Sequence, residues 1–582
     1  MKRLSALLLA LAMLLMLAAC GSVSSASSGS EPSQSVQTEP TAPEQTEAPA
    51  VSAAEIPDMD SAEEPSEVEE APAVVQSPSL PYTTTGEELS MWLPLTPDLA
   101  NTYSDLNEHI VVQAAEEVTG VHINFTHASF FTANDDFNLM TAAGDYCDLI
   151  SCAVKYYATG GAGAMEDGVI INLSDLIPEY APDYNAVINS DETHIAQSRS
   201  DTGDILAFYT WKDEVYNRSG MQTRGDWLDE LGLDAPETYE EYESVLLAFQ
   251  SAYGCTAAMQ MYPSCLLTGS MLCGGYGVSG YYTVYDDSGE IPNVMFQIDG
   301  TAHCSLLEDG YRDYLTMLNK WYTKGLISSD FLSGSCNPND SKNLGDIYSG
   351  NTGIWYSEYQ NLADYASSID DDNVYIAALK DPTIKKGDRT HFGGSIALGS
   401  SNGFTTSIST QCENTELATK WCNFWFTEQG FLLATYGIEG ESYTLDASGN
   451  PVFTELVTNN PNGLSQREAQ SMYSLSQFPT LSKKSVDFLS LNDEQIAAIE
   501  VWDSSIDGAY LMPDVSLTPE ESAEYASIMS DINTYASTTV DQMVIGETSL
   551  ADWDAFTDTL RGMKIERCVE IYQAALDRYN SR

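Results

Sequence analysis

The sequence predicts an α/β protein of two or more lobes that opens on a parallel layer. Three observations carry this. Strand and helix patterns alternate at the start of the folded part, later helices show apolar stripes with readable ends, and 582 residues exceed what one hydrophobic core can hold. LSMWL at 89–93 reads as the first strand, and NEHIVVQAAEEVTG at 107–120 as a helix closed by Gly120. VHINFTHA at 121–128 places Val121, Ile123 and Phe125 on one face, as a half-buried strand does. A helix through Phe137 to Ala143 leads to DLISCAV at 148–154, read as a third strand.

Further along, Thr238 and Glu241 fit a capping box, and Tyr242, Val245, Leu246 and Phe249 follow at helical spacing. Tyr311, Tyr314, Leu315, Leu318 and Tyr322 make a second stripe, stopped by Gly325. Ile565, Cys568, Val569, Tyr572, Leu576 and Tyr579 hold one face of a last helix. These stripes are expected to be core.

The amino-terminal residues carry an address. Lys2 and Arg3 precede an apolar run from Leu4 to Leu17, and Leu17-Ala18-Ala19-Cys20 then has the form of a lipoprotein cleavage site. The run is about 15 residues, short of the roughly 20 a membrane helix needs. Residues 1–20 are therefore expected to be a signal, with lipid attached at Cys20 and the mature chain on the extracellular face of the membrane. Residues 21–82 are rich in Ser, Pro and Glu and carry neither Lys nor Arg, and Tyr82 is the first aromatic residue. Such a segment buries too little apolar surface to offset its ordering entropy, so it reads as a disordered tether reaching about 45 Å on average.

The net charge of −62 excludes nucleic acid and docking on anionic lipid, since both would repel the chain. Enzyme motifs are missing: there is no G-x-S-x-G elbow, no H-E-x-x-H and no phosphate-binding G-x-x-x-x-G-K-[ST]. The six histidines show no metal-ligand spacing, and His122 reads as a structural residue in its strand. Asp370-Asp371-Asp372 and Asp446-Ala447-Ser448-Gly449-Asn450 lack the ligand order of a calcium loop, and the second reads as a hairpin turn. No metal and no cofactor are expected. Beyond Cys20 the cysteines include no C-x-x-C pair, and whether any form disulfides stays open.

RGDWLDELGLDAPETYEEYESVLLAF at 224–249 resembles the family 1 type of extracellular solute-binding protein. Four further segments fit that family in order: 139–150, 309–331, 414–452 and the closing IYQAALDRYNSR. One departure is Cys147, where members often carry Pro. The resemblance implies a type II periplasmic-binding-protein-like fold, with two lobes, three hinge crossings and a ligand cleft between them. On that frame lobe 1 spans 83–208 and 405–512, and lobe 2 spans 209–404 and 513–582. Crossings fall near Leu206–Trp211, Phe404–Ile408 and Met512–Leu517.

The resemblance also implies a monomer that captures a small solute, an oligosaccharide by preference, and delivers it to two ABC permease subunits driven by an ATPase. Peptide or other polar-solute binding and a surface glycoside hydrolase are the alternatives. Ligands of open α/β sheets collect beyond the carboxyl ends of strands, and aromatic rings suit the C–H faces of sugars. Nine Trp and 33 Tyr supply such rings. By position the expected cleft residues are Trp92, Lys155, Tyr156, Tyr209, Trp211, Trp355, Tyr356 and Tyr359. Trp355 in particular is expected on a loop at the cleft wall, after the turn at 350–353.

Overall fold

The computed structural model describes residues 76–261, 272–280, 282–286, 289–333, 341–369, 371, 373–392, 401–464, 466–475 and 477–582. The signal, Cys20, most of the tether and the Phe404 crossing's approach at 393–400 lie outside the described residues. Residues 76–82, read as the end of the tether, belong to the folded part. The Tyr82 amide donates to the Thr119 carbonyl at 2.8 Å, and its ring packs on the first core.

The chain begins with β1 (Glu88–Leu95), α1 (Ile110–Thr119), β2 (His122–Ser129), α2 (Ala133–Ala143), β3 (Leu149–Ser151) and the single turn α3 (Ala153–Tyr156). β1 lies in parallel between β2 and β3, with Trp92 opposite Thr126 and Ile150. Val111, Val112 and Ala115 turn the inner face of α1 onto this layer. Gly120 ends α1 at φ +75°, and a Cβ there would stand 2.2 Å from the Thr83 carbonyl oxygen, so no other residue fits. The third strand is shorter than its apolar run suggests, because Cys152 adopts φ 56° and turns the chain into α3.

β4 (Phe208–Lys212) follows, and the chain then enters a second sheet of β5 (Ser219–Arg224), β6 (Ile354–Glu358) and β7 (Ile376–Leu379), with β5 central and both neighbours antiparallel to it. It returns as β8 (Ser401–Ile408) and adds β9 (Leu481–Ser482). The first sheet has the order β9-β4-β8-β3-β1-β2. In it only β8 runs against the rest, since it comes back from the second sheet.

Each sheet has its own core. Met91, Leu93, Ile123, Phe208 and Trp211 pack with Trp421 and Phe478 around the six-stranded sheet. Tyr242, Phe249, Tyr311, Leu315, Trp321 and Ile354 pack with Met529 and Ile571 beside the three-stranded one. The predicted caps and stripes hold. Thr238 and Glu241 form a reciprocal capping box at the start of α4 (Tyr239–Tyr253), and the Tyr311 stripe is the buried face of α5 (Asp309–Thr323). The turn at 446–450 joins two short strands; Asp446 Oδ1 accepts the Ser448 and Asn450 amides at 2.8 Å each, with Gly449 at φ +86°.

The lobe limits read from the sequence differ from this packing in one place. Residues 493–504, assigned with 405–512 to the first lobe, form α6 (Asp493–Ser504), which packs on the three-stranded sheet. Trp502 donates its indole N–H to the Met221 carbonyl at 3.2 Å and lies against Gly220. The chain thus passes between sheets after Ser482, not near Met512–Leu517. A separate tie joins the cores: Arg578 and Arg582, at the end of α7 (Ile565–Tyr579), both donate to Asp201, at 2.7 and 3.0 Å. The eight cysteines among the described residues, including Cys147, Cys304 and Cys568, are free thiols.

Candidate functional site

The carboxyl ends of β1, β2, β3 and β4 form one rim of the six-stranded sheet, and the chain passes from there to the three-stranded sheet. Two of the connecting segments are tied side by side. The Lys484 amide donates to Asp213 at 2.8 Å, the Asn217 amide to Asp503 at 2.8 Å, and the Tyr216 hydroxyl to Asp487 at 3.0 Å. Burial lowers the Lys212 ammonium and the nearby Arg218 guanidinium lowers it further, with Asp487 opposing. Arg218 itself lies over the Tyr359 ring at 5.8 Å.

Among the residues expected at a cleft, exposure separates two groups. Lys155 is exposed on α3, and Tyr209 and Tyr356 are half-buried. Burial and the Asp514 carboxylate raise the Tyr209 hydroxyl, with Arg582 opposing; burial also raises the Asp514 carboxyl, and Arg582 opposes that shift as well. The Tyr356 hydroxyl bonds to that of Ser219 across the β5–β6 pair.

The other five are largely enclosed by protein. Trp211 is fully buried against His194, 4.4 Å between ring centres. Tyr156 packs on Trp92, and Tyr359 packs with Tyr216 and Ile499. Trp355 is a core residue, not a ring on a loop. The turn at 350–353 runs directly into β6, where strand alternation sends Ile354 to the main core of the second sheet and Trp355 to the opposite face. There it is fully buried with Ile347 and edge-on to Tyr365, with 5.5 Å between ring centres at 85°.

Trp92 lies in the middle of β1 and is buried, but it borders an opening. A pocket of about 730 Å³ lies between the β1–β2 edge, α2 and the loop before β3. Ser90, Trp92 and Thr126 contribute from the sheet, Asp136 and Met140 from α2, and Asp145, Tyr146 and Cys147 from the loop. Trp92 is held in place by Phe137, 5.9 Å away, and by Tyr156, 6.1 Å away and edge-on. Ser90 donates its amide and hydroxyl to Asp148 at 2.7 Å each, which locks β1 to the start of β3. Burial raises the Cys147 thiol beside Thr126 and Ser90. Cys147, the departure noted in the sequence, therefore borders this pocket.

Two further residues went unnoticed in the sequence. Phe130 and Phe131 follow β2 directly, next to the pocket-lining Ser129 and Thr132. Their rings meet edge-on at 5.9 Å, and Phe131 is 82% exposed, an unusual position for so large an apolar side chain. The strand-end rule that selected residues after β1 and β3 applies equally after β2, and it was the available signal.

No family model matches the chain. It is 26% identical over 381 residues to lipoprotein LipO of Bacillus subtilis, covering 63% of this chain and 69% of that protein. It is 22% identical over 523 residues to the fructooligosaccharide ABC transporter substrate-binding protein FusA of Streptococcus pneumoniae, covering 84% and 89%. Among solved structures, an HMO-binding, ABC-transporter-associated solute-binding protein of Bifidobacterium longum infantis matches with a TM-score of 0.68 at 18% identity, covering 85% of this chain and 99% of that one. The homologues are thus a lipoprotein and substrate-binding proteins of ABC transporters, and the fold is the two-lobed α/β fold of type II solute-binding proteins.

Proposed function

We propose that this chain is an extracellular solute-binding protein that captures an oligosaccharide and hands it to an ABC importer, without covalent chemistry. The observation that carries the reading is the pocket of about 730 Å³ between the β1–β2 edge, α2 and the loop before β3, lined by hydroxyls, carboxylates and aromatic edges. That volume lies within the roughly 300–1,000 Å³ of small-molecule sites, and the lining reaches Thr126 to Ser129 at the carboxyl end of β2, the end of open α/β sheets at which such ligands collect. Relatives whose names specify fructooligosaccharide and polygalacturonan support the saccharide class. Of the eight residues expected at a cleft, Trp92 lines this pocket and is the candidate contact; Lys155, Tyr209 and Tyr356 lie outside its lining, and Phe131 stands beside it, between the lining residues Ser129 and Thr132. Closure over ligand would follow hinge bending at the tied segments around Asp213 and Lys484.

The same reading includes anchorage by lipid at Cys20 through the Ser- and Pro-rich tether, and transfer of ligand to two permease subunits by a monomer. Among the described residues no helix is long and apolar enough to cross a membrane. A thermal-shift screen against oligosaccharides and peptides tests the function, with chromatography of each mixture afterwards. A true ligand at 100 times its dissociation constant adds about 2.7 kcal/mol of apparent stability. Stabilisation by a glycan that is recovered intact is the expected result; stabilisation by peptides alone, or cleavage of the glycan, would replace the reading.

A further inference from the structure

We infer that the pocket beside Trp92 selects an uncharged sugar and turns away its uronic-acid counterpart, so that the protein takes neutral oligosaccharides. This rests on the saccharide reading above and adds the charge class of the ligand. The lining supplies two carboxylates, Asp136 and Asp145, and no Lys or Arg. Its one ring capable of carrying positive charge is already committed. His127 Nε2 accepts the Leu106 amide at 3.1 Å, and Nδ1 faces the Leu93 carbonyl at 3.1 Å. An amide can only donate and a carbonyl can only accept, so Nε2 carries no proton and Nδ1 carries one, which is the neutral imidazole. Asp105, 3.9 Å from Nε2, does not displace the amide.

The lining is therefore a set of acceptors with hydroxyls between them. The Thr132 hydroxyl donates to Asp136 at 2.8 Å, and Thr126 and Ser129 add further hydroxyls at the sheet edge. Sugar hydroxyls can donate to Asp136 and Asp145 in charge-assisted bonds, which are the strong kind. A carboxylate on the ligand would instead enter beside two like charges, lose part of its hydration and meet no cation. Lys155 sits one turn beyond β3 on α3 and is not part of the lining.

The test compares neutral tri- to pentasaccharides of several linkages with the same chains oxidised to the carboxylate at C6, by calorimetry on the full-length protein. Whichever neutral chain binds, its oxidised form is expected to bind about tenfold more weakly or worse at low salt, with the gap narrowing as salt rises. In Asp136→Asn/Asp145→Asn the gap should shrink to about threefold or less. Thr126→Phe, on the edge strand, fills the pocket and should weaken the neutral ligand about tenfold while leaving the melting temperature of the unliganded protein unchanged. An oxidised chain that binds the parent as tightly as the neutral one, a gap unaltered in the double Asn variant, or a folded Thr126→Phe protein with parental affinity would each overturn the inference while leaving saccharide binding in place. Failure of every glycan, with peptides binding, would instead remove the functional reading beneath it.

Discussion

Asp381 offers a sharp test of how the second lobe is held together. It follows β7, is 3% exposed, and its Oδ2 has no hydrogen-bond partner among the described residues. The nearby phenols cannot help it, because Tyr239 donates to the Leu272 carbonyl at 2.6 Å and Tyr242 to the Lys380 carbonyl at 2.7 Å. Burial accordingly pushes the carboxyl up to about 8 from an ordinary value of 3.8. In the unfolded chain this group loses its proton near pH 4, whereas in the folded protein it keeps it until about pH 8. Between those limits the folded state binds more protons, so stability falls as pH rises through the window. Each pH unit is worth a little over 1 kcal/mol, so the full span is on the order of 5 kcal/mol, reduced by any relaxation that lets water in. Asp381→Asn keeps the shape of the neutral acid and removes the titration. It should match the parent near pH 4 and exceed it by about 2–4 kcal/mol at pH 8. Urea unfolding of both proteins at pH 4.5, 6 and 8 measures the difference, in which all other carboxylates cancel. Parallel stability curves, with no growth of the difference between pH 4.5 and 8, would refute the reasoning.

Trp355→Ala should cost about 3–5 kcal/mol of stability by opening a cavity beside Tyr365, while calorimetry well below the melting temperature finds ligand affinity within about twofold of the parent. Asp201→Ala should destabilise the protein by about 2–4 kcal/mol, read from urea midpoints. The reason is that it strips Arg582, whose side chain is 3% exposed, of its only salt-bridged carboxylate among the described residues, whereas Arg578 keeps Glu521 at 2.6 Å. Cys20→Ala should abolish labelling by radioactive fatty acid in the native host; undiminished labelling of the variant would exclude anchorage at that position.

Local patterns were legible because their causes are local. The capping box of Thr238 and Glu241, the Gly120 stop after α1, the Asp446 turn and the buried faces of α4 and α5 each depend on atoms within a few residues. The parallel start of the first sheet was legible for a related reason, since β1, β2 and β3 follow one another with helices between them. The order of family-like segments pointed to the two-lobed fold that structural comparison then showed. The reversed β8 was not legible, because its neighbours β3 and β4 lie about two hundred or more residues earlier in the chain.

What the sequence by itself determined is therefore the fold class, the first three strands with the helices between them, the faces of several later helices and the residue types present. Which rings stay open to solvent was decided only by tertiary packing. Trp355 and Phe131 look equally suitable in the sequence, each an aromatic at a turn next to a strand. Trp355 continues a strand whose far face is covered by the segments around Ile347 and Tyr365, so it is sealed. Phe131 stands at the free end of an edge strand and remains 82% open. Burial is a property of what the rest of the chain places over a residue, and a side chain carries no mark of its future neighbours.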